Sequence, residues 1–143
     1  MKKFLGLALL LSITATLSAL GQQKPTAKSS GLAQSMIKGK AVYQQYCLTC
    51  HQADGGGVPN LNPPLIKTAY VLGDQTRLIN IILKGMSTGV VIDDEEYTNP
   101  MPPLNILSDE QVANVLTYVR NNFQNKASAI TASQVKAVRA KNK

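Results

Sequence analysis

Histidine and cysteine are scarce in this chain of 143 residues: His51 stands alone, and Cys47 and Cys50 are the only thiols. A structural zinc site takes four such ligands, and the chain is one short. Aromatic residues make up 5% of the sequence, few for a surface that stacks nucleic-acid bases. No internal repeat is present, which argues against a solenoid. The formal charge of +7 could suggest a nucleic-acid partner, but its distribution does not. From Gly31 to Phe123, six basic residues meet all eight acids, a net −2, and the positive charge lies in the two tails. Solvated basic tails are the plainer reading, with no nucleic-acid partner.

The start reads as an export signal. Lys2 and Lys3 precede an apolar or small run from Phe4 to Leu20, followed by polar Gln22, Gln23 and Lys24. A basic region, a short apolar region and the small-residue site around Ala19-Leu20-Gly21 form a secretory signal peptide, residues 1–21, cleaved after Gly21. The run is at the bottom of the roughly 17–25 residues that span a bilayer, so no stable membrane insertion is expected after cleavage. No cysteine opens the mature chain, so no lipid anchor is indicated there. The expected location is the periplasm or another compartment outside the cytoplasm.

Residues 22–30 are small and polar with a proline, and are predicted to be a disordered leader. A first helix is predicted from Ala33 to Tyr46, with Gly39, Tyr43 and Cys47 on one face. Three consecutive glycines and three prolines keep residues 52–64 irregular. A second helix follows Asp74 as N-cap, buries Leu78, Ile81 and Ile82, and ends at Gly85, predicted to be left-handed. Val90-Val91-Ile92 is a short β-prone run closed by an acidic turn, Asp93–Glu96. Pro100, Pro102 and Pro103 enforce an extended segment. Ser108 and Gln111 have the capping-box spacing of a helix with an apolar face of Val112, Val115, Leu116 and Val119, ending near Phe123. Thr131 and Gln134 repeat that spacing before a weaker helix, Ala132–Ala140. The chain thus divides into a core domain, residues 31–123, and a basic C-terminal extension, residues 124–143. Ninety-three residues is a small body for one core, and a bound prosthetic group would fill the centre of helices that lack a sheet.

The decisive element is Cys47-Leu48-Thr49-Cys50-His51, the C-x-x-C-H pattern of c-type haem attachment. Two thiols three residues apart at a helix end can reach the two vinyl groups of one porphyrin and form thioethers. The next residue then lies under the ring with its imidazole aimed at the iron. A Cys47–Cys50 disulfide would leave the adjacent histidine unexplained. A thioredoxin-type pair wants a βαβ setting, and no strand precedes this one.

With a single histidine, the sixth iron ligand comes from another residue type, and methionine supplies a thioether. Met36 lies upstream in the first helix and reads as packing. Met86 follows a helix end and reads as core filler. Met101, in Tyr97-Thr98-Asn99-Pro100-Met101-Pro102-Pro103, is offered by a rigid loop and is the preferred ligand.

At these residues the chain resembles the class I cytochromes c, the small bacterial type with one haem and His/Met ligation. The likeness covers about Gly31–Phe123, strongest in CHQADGGGVPNLNPPL and MPPLNILSDEQVANVLTYVR, which are similar to cytochrome domains serving periplasmic dehydrogenases and copper nitrite reductases. The resemblance implies an all-α class I cytochrome c fold, with helices packed around one covalently bound haem c and at most a short β-hairpin. It implies that the face of Gly39 and Tyr43 crosses the last core helix at Val115, Tyr118 and Val119. A proline carbonyl, Pro63 rather than Pro64, would accept the Nδ1 proton of His51, and Leu65 would pack on the ring edge. Asn99 or Tyr97 would bond near the methionine sulfur or a propionate, unless they are ordinary loop residues.

Iron held between His51 and Met101 has no open position, so the expected role is outer-sphere electron transfer in a respiratory chain rather than enzymatic turnover. Its partners would be redox proteins docking briefly through small interfaces. Two other readings stay open: a dedicated haem subunit of one redox enzyme, and a ligand-binding haem domain.

Overall fold

The computed structural model describes residues 27–142, with side chains from Gly31 onward. The expected signal peptide and residues 22–26 lie outside the described residues. The architecture is mostly helical with one short two-stranded hairpin. Its elements are α1 (Ala27–Tyr46), α2 (Leu48–His51), α3 (Ala69–Leu72), α4 (Gln75–Lys84), β1 (Val90–Ile92), β2 (Glu95–Tyr97), α5 (Asp109–Arg120) and α6 (Ala132–Lys141).

Helix α1 starts ahead of the predicted Ala33 and takes in residues 27–30, the end of the predicted leader. No proline or β-branched residue interrupts that stretch, and extending a helix is far easier than nucleating one. The buried face of α1 carries Gly39, Val42 and Tyr43 and crosses α5. Tyr43, Tyr118 and Phe123 form an aromatic cluster there, with ring centroids 5.2–5.7 Å apart.

The caps explain where the other helices begin. Asp74 Oδ1 accepts from Arg77 N at 2.6 Å and opens α4. Ser108 and Gln111 form a reciprocal capping box at the head of α5, and Thr131 and Gln134 do so for α6. Gly85 ends α4 at the predicted positive φ, +70°, but its ψ of −168° lies outside the left-handed helical well. That region is essentially restricted to glycine. A Cβ there would also stand 2.8 Å from Pro103 N, so the site keeps a close backbone crossing.

Helix α5 stops at Arg120, short of the predicted Phe123. Phe123 and Gln124 both have left-handed φ, +51° and +62°, and turn the chain back across the domain. The acidic turn is tighter than predicted. Asp93 and Asp94 make it alone, both at positive φ, while Glu95 and Glu96 pair in β2 opposite Ile92 and Val91. Two positive-φ residues give the twist a two-residue hairpin needs, and aspartate tolerates that conformation.

The C-terminal extension is part of the packed body. Val135 and Val138 are buried where α6 meets α5 and α4. Arg139 donates to Asp109, Asn105 O and Leu107 O, and Gln134 Nε2 to Gln75 Oε1. Among the described residues no helix is long and apolar enough to cross a membrane.

Candidate cofactor cleft

Helix α1 ends at Tyr46, and one further turn, α2, carries the C-x-x-C-H segment. Cys47 O accepts from Cys50 N at 3.2 Å and from His51 N at 2.9 Å, which winds both thiols and the imidazole onto one side. The next residue, Gln52, has φ +62° and swings the chain away. Tyr43 Oη donates to Gln52 O at 2.7 Å, pinning that reversal to α1. Both cysteines are free thiols, Cys47 half-buried and Cys50 exposed.

His51 Nδ1 lies 3.0 Å from Pro63 O. A carbonyl only accepts, so Nδ1 carries the proton and Nε2 keeps a lone pair for a metal. Glycine makes this approach possible. Gly57 has φ +70°, and a Cβ on it would stand 2.7 Å from that same Pro63 oxygen. The loop is closed by paired Val58 and Asn62 and by Leu65 N donating to Gly55 O at 2.8 Å.

A second wall holds two methionines, not one. Met86 and Met101 exchange both backbone hydrogen bonds, each 2.9 Å, in an isolated antiparallel bridge. Residues directly opposed in such a pair project to the same face. Both line the cleft, whereas Met36 packs against the core. The two walls are also joined: Asn99 N donates to Leu61 O at 3.0 Å, and Asn99 Nδ2 to Asn62 Oδ1 at 3.2 Å.

Between the walls lies an apolar cleft of about 1160 Å³, its mouth included. Cys47, Cys50, His51, Pro63, Leu65 and Met101 all line it. Helix α4 is apolar on two faces. Leu78, Ile81 and Ile82, the predicted stripe, face the cleft, while Ile79 and Leu83 are buried on the remaining side. Ile81 is therefore only half-buried, because its neighbour is the cleft and not protein.

The electrostatics suit a neutral metal-binding imidazole. Burial pushes the His51 pKa below its ordinary value, and the bond to Pro63 opposes this in part. Burial, with the Cys50 thiol nearby, pushes Cys47 up to about 11. Two thiols on one helical turn, an oriented imidazole and a facing thioether in an apolar slot are the donor set of a c-type haem.

Of the residues the family resemblance suggested, Asn99 lines the cleft. Tyr97 does not line it, and its hydroxyl donates to Glu95 Oε2 at 2.9 Å within the hairpin. Sequence reasoning passed over Tyr46 and Tyr70, both cleft residues. Tyr46 could have been found, since Tyr43, Tyr46 and Cys50 follow helical spacing along one face. Tyr70 sits in α3, a single turn too short to give a periodic signal.

Comparisons with known proteins cover the same stretch of the chain. The family model described as "Cytochrome c" matches residues 36–123. Cytochrome c-552 of Thermus thermophilus is 32% identical over 120 residues, covering 78% of this chain and 80% of that protein. The cytochrome c subunit of a quinone-dependent alcohol dehydrogenase from Gluconacetobacter polyoxogenes is 33% identical over 108 residues. So is the cytochrome subunit of a fructose dehydrogenase from Gluconobacter japonicus. The alignments cover 72% and 71% of this chain but only 22% of each of those longer subunits.

Proposed function

This chain belongs to the cytochrome c family, and from that premise we propose that it is an exported single-haem electron carrier with His51 and Met101 as axial ligands. The observation that carries the reading is the convergence of Cys47, Cys50, His51 and Met101 on one apolar cleft. When bound, the haem supplies an iron that accepts and releases one electron at a time. The chain's own residues do the rest. Cys47 and Cys50 would hold the ring through thioethers, which would prevent its loss outside the cytoplasm. Pro63 O fixes the histidine tautomer and strengthens it as a donor. Met101, flanked by Pro100 and Pro102, offers a thioether, which favours the reduced metal relative to a second imidazole. The apolar side chains that α4 and α5 contribute to the cleft lining would keep water from the bound group.

Were His51 and Met101 both to hold the metal, no position would be left for a substrate, and the chemistry would be electron transfer and not turnover. The redox partner we favour is a dehydrogenase outside the cytoplasm, with a copper nitrite reductase or an oxidase as acceptor. A second reading, a dedicated haem subunit of one dehydrogenase, is supported by the relatives that are named as such subunits. Gel filtration of extracts at low salt separates the two: a carrier elutes alone, a subunit with its enzyme.

The central test is an intact mass and an optical spectrum of the exported protein in both oxidation states. The expected mass is the chain from Gln22 plus one haem, with an iron–sulfur charge-transfer band in the oxidised form. An apoprotein mass, from cells that mature other c-type proteins, would sink the proposal.

A further inference from the structure

Asn125 lies just beyond the residues matched by the family, in a segment whose composition suggests only a solvated basic tail. It is nevertheless 7% exposed, and its amide makes three hydrogen bonds. Oδ1 accepts from Lys67 N at 2.7 Å. Nδ2 donates to Leu65 O at 2.9 Å and to Val119 O at 2.8 Å. One side chain therefore bridges α5 and the Leu65–Lys67 segment, using both amide protons and the carbonyl oxygen. Delivering it there requires Phe123, Gln124 and Lys67 to adopt positive φ, +51°, +62° and +53°. Such conformations are costly for non-glycine residues and persist only where the surroundings over-determine them.

The segment Asn125 holds begins immediately after Pro63-Pro64. A proline fixes its own φ and restricts the residue before it, so Asn62, Pro63 and Pro64 are stiff, and Leu65, bonded directly to Pro64 and tied through its N–H to Gly55 O, passes its position on to them. We infer that Asn125 is a positioning residue for the haem histidine: by clamping Leu65 and Lys67 to α5, it holds Pro63 O on the Nδ1 proton of His51. The inference rests on the haem reading above. A well-held carbonyl makes the imidazole a stronger donor to iron, which favours the oxidised state. Loosening the clamp therefore weakens that donor and raises the midpoint potential.

The test compares holoprotein of wild type, Asn125→Ala and Val135→Ala. Val135 is fully buried on α6 and does not line the cleft, so its truncation reports a general loss of stability. The expected result is an upward shift of the midpoint potential in N125A. Exchange of the His51 ring Nδ1 proton should also be at least about tenfold faster, through local opening of the loop. V135A shows neither change. If N125A does not accumulate, Asn125→Ser, which can keep one of the three bonds, is measured in the same way. A variant at 125 whose potential and exchange match V135A overturns the inference. The wild-type mass is recorded first. A wild type without haem overturns this inference and the function together; a haem-loaded wild type with an unmoved N125A overturns the inference alone.

Discussion

Gly39 of α1 rests directly on the backbone of Asn114 in α5. A Cβ at Gly39 would stand 2.7 Å from Asn114 C and 2.7 Å from Tyr118 Cβ, and would overlap the Asn114 carbonyl oxygen itself. Here two helices that both line the cleft meet backbone to backbone, and backbone cannot yield as a flexible side chain can. Gly39→Ala is therefore expected to lower stability by about 1–3 kcal/mol, the usual cost of overpacking. Gly39→Val should prevent accumulation of folded protein. Denaturant unfolding of the holoprotein measures the first, and an unchanged midpoint for G39A would show that the helices are not in contact here.

The pairing of Met86 with Met101 sharpens the question of the axial ligand, because both thioethers face the cleft. Met101 packs against the core between two prolines, while Met86 follows the Gly85 turn. Met101→Ala is expected to abolish the iron–sulfur charge-transfer band and lower the midpoint potential. Met86→Ala should keep the band and change the potential little. The reverse pattern would move the ligand assignment to Met86.

How much of this was legible in sequence depended on whether the signal was local. The caps at Asp74, Ser108 and Thr131 were, because each is decided by residues three apart. The C-x-x-C-H turn was legible because bonding geometry dictates its spacing. Gly85 shows the limit: its position after α4 signals a stop, but the backbone crossing it, Met101 to Pro103, comes from a distant segment. Asn125 was invisible for the same reason, as its partners, Leu65 and Lys67, are 60 and 58 positions away. The second methionine in the cleft is likewise a product of non-local pairing.

The two thiols differ in environment although they share one turn. Cys47 is half-buried with a pKa pushed up to about 11, while Cys50 is exposed. Near pH 8, a thiol titrating about three units higher is roughly one part in a thousand thiolate. In the folded haem-free chain, iodoacetamide is expected to alkylate Cys50 first, with Cys47 at least about tenfold slower, and urea should erase the difference. Peptide mass analysis over time reads both sites. Equal rates in the folded chain would contradict the burial of Cys47.

The link between α1 and α5 has a second, pH-sensitive part. Lys38 Nζ lies 2.7 Å from Glu110 Oε1, in the first turn of α5. The Lys38 ammonium, through this hydrogen bond and its charge, holds the Glu110 carboxyl below its ordinary value. A lowered pKa in the folded state means that the unfolded chain binds more protons across that window, so stability rises with pH there. The contribution is complete above the ordinary glutamate value of about 4.3 and disappears as pH falls through the folded value. Both side chains are largely exposed, at 50% and 63%, so the effect is small and screened by salt. A double-mutant cycle of Lys38→Met and Glu110→Gln separates the pair from the helix-dipole contribution of Glu110. The coupling should be favourable near pH 7 at low salt, then fade as acid protonates Glu110 or in about 1 M salt. Coupling that survives at the acidic end would mean that the two helices are held here by packing and not by charge.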